Sequence, residues 1–189
     1  MADQIFLIAP GNVDAAGFAP NLQAVLAAAP VSVLLLPTGG RADPDYAAFV
    51  KAIAPLAQAE GAAVLLDNRP DLVATLGADG VHMTSGIKAL REAIDALKPD
   101  FIVGSGDIGS RHEAMLRGEL DIDYLLFGDR GESDAEMANW WAETFEVPSV
   151  YLATGPGDSA LPSLRTEFVA FGNIWDTPEK LPELSGARA

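Results

Sequence analysis

Few side chains in this sequence can act as a nucleophile, base or metal ligand. There is no cysteine, which excludes thiolate nucleophiles, disulfides and cysteine-ligated metals. Histidine occurs only at His82 and His112. His82 closes the short apolar run Gly80-Val81-His82, where an imidazole can do acid/base work or simply be a hydrogen-bonded core residue. His112 follows Arg111 inside an amphipathic segment and reads as a surface residue. One histidine among scattered carboxylates does not make a zinc set. The turns Gly155-Pro156-Gly157 and Gly172-Asn173 can aim backbone N–H groups at an anion, or can need glycine only for backbone freedom. Trp175, just beyond, offers a face on which a flat heterocycle could stack. Gly104-Ser105-Gly106 is too short to count as a dinucleotide loop. No phosphate-loop or nucleophile-elbow pattern occurs.

These residues lie at the ends of regularly spaced elements. Apolar runs at Gln4–Ala9, Val31–Leu36, Ala63–Asp67, Gly80–His82, Phe101–Gly104, Tyr124–Gly128, Ser149–Ala153 and Phe168–Gly172 lack apolar–polar alternation, which predicts strands covered on both faces. Helical spacing separates them at Asn21–Ala29, Tyr46–Ala59, Pro70–Leu76, Ile87–Leu97, Ser110–Arg117, Ser133–Phe145 and Pro178–Leu184. Ser110 with Glu113, and Ser133 with Glu136, have the spacing of capping boxes. The alternation fits a (β/α)₈ barrel or a doubly wound open sheet, with the barrel slightly favoured. The 189 residues suit one domain spanning 1–189, with short loops and a disordered tail over 182–189.

The net charge is −15, from 12 basic and 27 acidic residues, and the basic ones are scattered. That field repels nucleic acid, so no nucleic-acid partner is expected. No apolar run approaches the roughly 20 residues a membrane span needs, and no secretory leader is read at the N-terminus. A cytoplasmic protein is expected, with a homo-oligomer left open.

Two stretches carry a family resemblance. Ala63-Val64-Leu65-Leu66-Asp67-Asn68-Arg69-Pro70-Asp71-Leu72, continuing through Gly77-Ala78-Asp79-Gly80-Val81-His82-Met83, resembles the middle of the thiamine phosphate synthase/TenI family. Asp123-Tyr124-Leu125-Leu126-Phe127-Gly128 resembles that family's sixth strand, particularly in its TenI branch. The resemblance implies a (β/α)₈ barrel with ligands at the C-terminal strand ends. It also implies a small phosphorylated heterocycle, such as a thiazole phosphate, as the partner.

The family's synthase uses magnesium on carboxylates, one of which closes the third strand. Here that position is Asn68, beside Asp67, and the second carboxylate stretch reads Thr84-Ser85-Gly86-Ile87. The cations that end the family's second strand are absent from Leu36-Pro37-Thr38-Gly39-Gly40. No magnesium site and no other cofactor are therefore expected. TenI-type tautomerases carry an acid/base histidine directly after Phe-Gly, where this chain has Asp129; a solvated loop aspartate beside Arg130 is the plain alternative. The resemblance makes Asp129 and His82 candidate catalytic residues, with Asp67, Asn68, Gly155, Gly157, Gly172, Asn173 and Trp175 around the ligand. Three functions stay open: a thiazole-type isomerase or binder, a non-catalytic metabolite- or protein-binding barrel, and an active synthase.

Overall fold

Strands form where the apolar runs predict them: β1 Gln4–Ile8, β2 Val33–Leu36, β3 Ala63–Asp67, β4 Gly80–Met83, β5 Ile102–Ser105, β6 Tyr124–Phe127, β7 Ser149–Ala153 and β8 Phe168–Phe171. In the computed structural model, which describes residues 4–129 and 134–182, they close into a barrel in sequence order. All eight pairings are parallel, including β1 with β8. The open-sheet alternative is thereby excluded.

Strand periodicity divides the apolar side chains between two shells. Phe6, Val33, Leu35, Leu65, Tyr124, Leu126, Val150 and Ala170 fill the barrel interior. Their strand neighbours, such as Leu7, Leu34, Leu66, Val103 and Phe127, pack outward under the helices. Because the same parity runs up each strand, it sets which residues face the mouth at the C-terminal end.

The helices are α1 Ala15–Ala28, α2 Asp43–Ala59, α3 Val73–Leu76, α4 Ile87–Leu97, α5 Arg111–Gly118 and α6 Asp134–Thr144. Helix α1 begins earlier than its periodicity predicts because the Asp14 carboxylate accepts the Gly17 N–H at 2.8 Å, and Pro20 lies inside it. Residues 70–76 split into a 3₁₀ turn, Pro70–Leu72, and the short α3. The connection from β7 to β8 holds only the 3₁₀ turn Leu161–Ser163, which is how the chain stays short. The last expected helix is a 3₁₀ turn over Pro178–Lys180; residues 183–189, most of the expected tail, lie outside the described residues, as does the Ser133 cap.

Of the adjacent tryptophans, Trp141 is fully buried, stacks on Phe145 at 4.1 Å and donates to the Val147 carbonyl. Trp140 is half-buried under the Arg111 guanidinium. Among the described residues no helix is long and apolar enough to cross a membrane.

Ser110 caps α5, its hydroxyl accepting the Glu113 N–H at 3.1 Å, while the Glu113 carboxylate takes the Gly109 N–H at 2.7 Å. Ser110→Ala removes one of these end contacts and should cost about 1 kcal/mol in urea denaturation with little change in slope.

Candidate functional site

At the barrel mouth β4, β5 and β6 bring three polar side chains together. His82 lies on the inner face of β4, almost fully buried. Its Nδ1 is 2.8 Å from the Tyr124 hydroxyl, and the two rings are nearly parallel at 5.7 Å. Room for the phenol comes from Gly104, its register partner on β5, where an added Cβ would fall 2.0 Å from the ring. Burial holds Tyr124 well above its ordinary pKa, so it remains a phenol. Burial, helped by the Arg117 charge, pushes the His82 imidazole down to about 4, so it is neutral at working pH. In the tautomer in which Tyr124 donates to Nδ1, the imidazole proton is on Nε2.

That nitrogen faces Asp129. A Cβ at Gly106 would lie 2.7 Å from His82 Nε2 and 2.9 Å from Asp129 Oδ2, so the two polar atoms border one small space kept open by a glycine. The Asp129 side chain stands at the solvent-exposed rim with Oδ2 turned inward to accept the Asp107 N–H at 2.6 Å. Desolvation of the carboxyl outweighs this hydrogen bond and, with the nearby Asp107 and Asp134 charges, raises its pKa. Asp107 itself has φ 60°, a backbone setting uncommon for a residue other than glycine, and this directs its N–H to Asp129. A carboxylate of raised basicity beside a neutral N–H donor can take up a proton and return it.

On the β3 side, Asp67 pairs in register with His82. Asn68, also at positive φ (52°), spends its whole amide on neighbours. Its Oδ1 accepts from the Thr84 N–H, the Ser85 N–H and the Ser85 hydroxyl, and its Nδ2 donates to Asp67 Oδ1 and Thr84 Oγ1, all within 3.1 Å. Asp67 Oδ2 also takes the Thr38 N–H at 3.4 Å. Arg41, past the end of β2, is likewise occupied: it donates to the carbonyls of Gly11, Val13 and Thr38 and lies over the Phe49 ring.

The β7 and β8 turns meet through Asn173, whose Nδ2 donates to the Thr154 carbonyl at 2.7 Å and lies beside Gly155. Gly157 and Gly172 face open space. Asp158 organises the β7 turn, accepting the N–H groups of Thr154 and Ala160 and the hydroxyls of Thr154 and Tyr151. Burial pulls its carboxyl up, but these four donors hold it below the ordinary value. Trp175 is not at the mouth. It is buried edge-on to Phe18 at 4.8 Å, with Nε1 shared by the Ile8 and Gly172 carbonyls, so its ring faces serve the helix layer rather than a ligand.

Comparison with known proteins places this mouth in a family. The family model described as thiamine monophosphate synthase matches residues 5–153. The chain belongs to the thiamine monophosphate synthase family. It is 35% identical to a thiamine-phosphate synthase of Rhodospirillum centenum over 187 residues, covering 93% of this chain and 90% of the relative. It is 34% identical to one from Hyphomonas neptunium, covering 92% and 86%. The barrel matches a thiamine phosphate pyrophosphorylase from Pyrococcus furiosus with a TM-score of 0.79 at 16% identity, covering 96% and 95% of the two chains, a likeness of fold.

Within this family barrel, His82 and Asp129 meet across Gly106, Asp67 and Asn68 adjoin His82, and Gly155 meets Asn173. Sequence reasoning missed Tyr124, Asp107 and Asp158, and passed over the two glycines of Gly104-Ser105-Gly106. Their signal is weak, since a glycine that makes room for a side chain looks like any turn glycine. Among the described residues no group of three or more His, Cys, Asp or Glu side chains is placed to hold a metal ion.

Asn68→Asp tests the β3–β4 clamp. The new carboxylate loses the two amide donations and sits against Asp67, which should cost about 1–3 kcal/mol at neutral pH. Repulsion raises the folded-state pKa of the new group, so the loss should shrink as pH falls and that group is protonated. Urea midpoints at pH 4 and pH 7.5 measure this.

Proposed function

We propose that this family member binds a phosphorylated thiazole or related heterocycle at the barrel mouth and isomerises it by proton transfer at Asp129, without a metal. The observation that carries the reading is the facing pair, His82 Nε2 and Asp129 Oδ2, across the space Gly106 leaves open. Asp129 as carboxylate takes a proton from a carbon of the bound ring system. The electron pair moves along the conjugated system, and the resulting acid returns a proton at its other end. No phosphate bond breaks and nothing is oxidised. The His82 N–H donates to negative charge that develops on the heterocycle, and Tyr124 fixes the imidazole. The turns at Gly157 and Gly172, where an added Cβ would meet open space, are the candidate phosphate sites.

Support for a metal-independent reaction comes from the donor set. Magnesium prefers carboxylate and phosphate oxygens. At the end of β3 it would meet one carboxylate, Asp67, whose oxygens already accept from Asn68 Nδ2 and the Thr38 N–H, beside a neutral amide whose oxygen already accepts three hydrogen bonds. Past β4 it would meet Thr84 and Ser85, with no carboxylate. Those residues do not fit the ion, and no step is routed through it.

A second reading, an active thiamine-phosphate synthase, is supported by the names of the 35% and 34% identical relatives. Thermal-shift measurements separate the two, because a ligand that binds only the folded state raises the melting temperature. The proposal expects a shift with a thiazole phosphate that EDTA leaves unchanged. A shift only with a pyrimidine diphosphate and magnesium supports the synthase instead.

A further inference from the structure

We propose that Arg117, on α5 outside the barrel, is a positioning residue that fixes the ends of β4 and β5 and with them the gap between His82 and Asp129. Arg117 is an unusual residue to find where it is. Arginine is rarely buried without a carboxylate, yet this side chain is only 6% exposed and its hydrogen bonds go to neutral oxygens. Nη1 donates to the Ser85 carbonyl at 3.2 Å, just past β4, and to the Ser105 hydroxyl at 2.8 Å, the last residue of β5. Ser105 passes the connection on by donating to the Met83 carbonyl at 3.0 Å, and the Gly106 N–H donates to that same carbonyl at 3.1 Å. One guanidinium therefore ties together the segment that carries His82 and the segment that carries Gly106 and Asp107, the two segments that set the position of Asp129.

The strap also carries charge. The groups facing His82 are Tyr124 from β6, its register neighbour Asp67 from β3, Asp129 from beyond β6, and Arg117 from α5. Arg117 is the cation among them, and it disfavours the imidazolium form. A buried charge whose hydrogen bonds among the described residues go only to neutral oxygens costs stability, so its retention here is consistent with service to the strand ends rather than to the core.

The test uses two variants of the full chain and two readouts that need no substrate. Arg117→Met keeps the apolar stem and removes the bonds and the charge. Arg117→Lys keeps the charge on a side chain one atom shorter, whose ammonium stops short of the two oxygens that Nη1 reaches. Histidine NMR follows the His82 titration, and amide exchange follows the Gly106 N–H. In Arg117→Met the His82 midpoint should rise and Gly106 exchange should quicken roughly tenfold or more. In Arg117→Lys the midpoint should stay low while exchange still quickens. Wild-type values of both readouts in Arg117→Met would overturn the assignment. A third arm, a fall in kcat with KM little changed, rests on the proposed isomerisation. If wild-type protein turns over no thiazole, that reading fails while the His82 and Gly106 measurements still decide the role of Arg117.

Discussion

Asp129→Asn should lower isomerisation of a thiazole phosphate by roughly 10²–10⁴-fold, the usual worth of a positioned general acid/base, while leaving ligand-induced thermal shifts near wild type. The substitution is nearly isosteric, and its amide oxygen can still accept the Asp107 N–H now bound at 2.6 Å. The side chain stands at the exposed rim, so stability should change little. What disappears is the exchangeable proton. The wild-type pH profile should show the same group. Because desolvation raises the Asp129 pKa, and the base form is the reactive one, kcat/KM should climb with pH through a midpoint above the ordinary carboxylate value of about 4. His82, held at about 4 by burial and by Arg117, should add no inflection between pH 5 and 8. Full activity in Asp129→Asn would remove Asp129 from the chemistry.

Gly106→Ala should be nearly as damaging by a different route. A methyl group there would fall within 3 Å of both His82 Nε2 and Asp129 Oδ2, so both must give way. Asp129 can swing aside at the rim, whereas His82 is held by Tyr124 and by the barrel wall and yields only by straining its surroundings. Displacement of a reacting group by about 1 Å is enough to cost on the order of 10²-fold. The residue's φ lies outside the left-handed range that favours glycine, so the structural cost comes from the contact with buried His82 and not from the backbone. A loss of turnover well beyond what the lowered urea midpoint accounts for is the expected pair of results. Equal losses in both would assign Gly106 to packing instead.

The eight strands were legible because strands buried on both faces announce themselves as uninterrupted apolar runs, while their closure into a barrel rather than an open sheet rested on the family resemblance. Helix starts were harder, since Asp14 caps α1 ahead of its first apolar repeat and Pro20 lies inside the helix, where it removes one i→i−4 hydrogen bond. At the site, His82 and Asp129 were found only through their neighbours in sequence, Gly-Val-His and Phe-Gly. Nothing in the letters said that they border one space, because that juxtaposition depends on β4 and β6 flanking β5. Trp175 shows the limit of reasoning from residue type. An aromatic on a turn after a strand suggests a stacking surface, but the indole N–H found two carbonyls and the ring found Phe18, so it went into the core. Asn68 shows a second limit. A sequence records an amide at this position but not the five hydrogen bonds it makes.

The most direct test is a paired assay of the purified protein. One sample receives the non-aromatic tautomer of a thiazole phosphate in D₂O with EDTA, and ¹H NMR follows isomerisation and deuterium uptake. The other receives a thiazole phosphate, a pyrimidine diphosphate and magnesium, and is scored for thiamine phosphate. The expected result is EDTA-resistant isomerisation with deuterium entering the product, lost in Asp129→Asn, and no thiamine phosphate in the second sample. Robust magnesium-dependent formation of thiamine phosphate, with no isomerisation in the first sample, would contradict it.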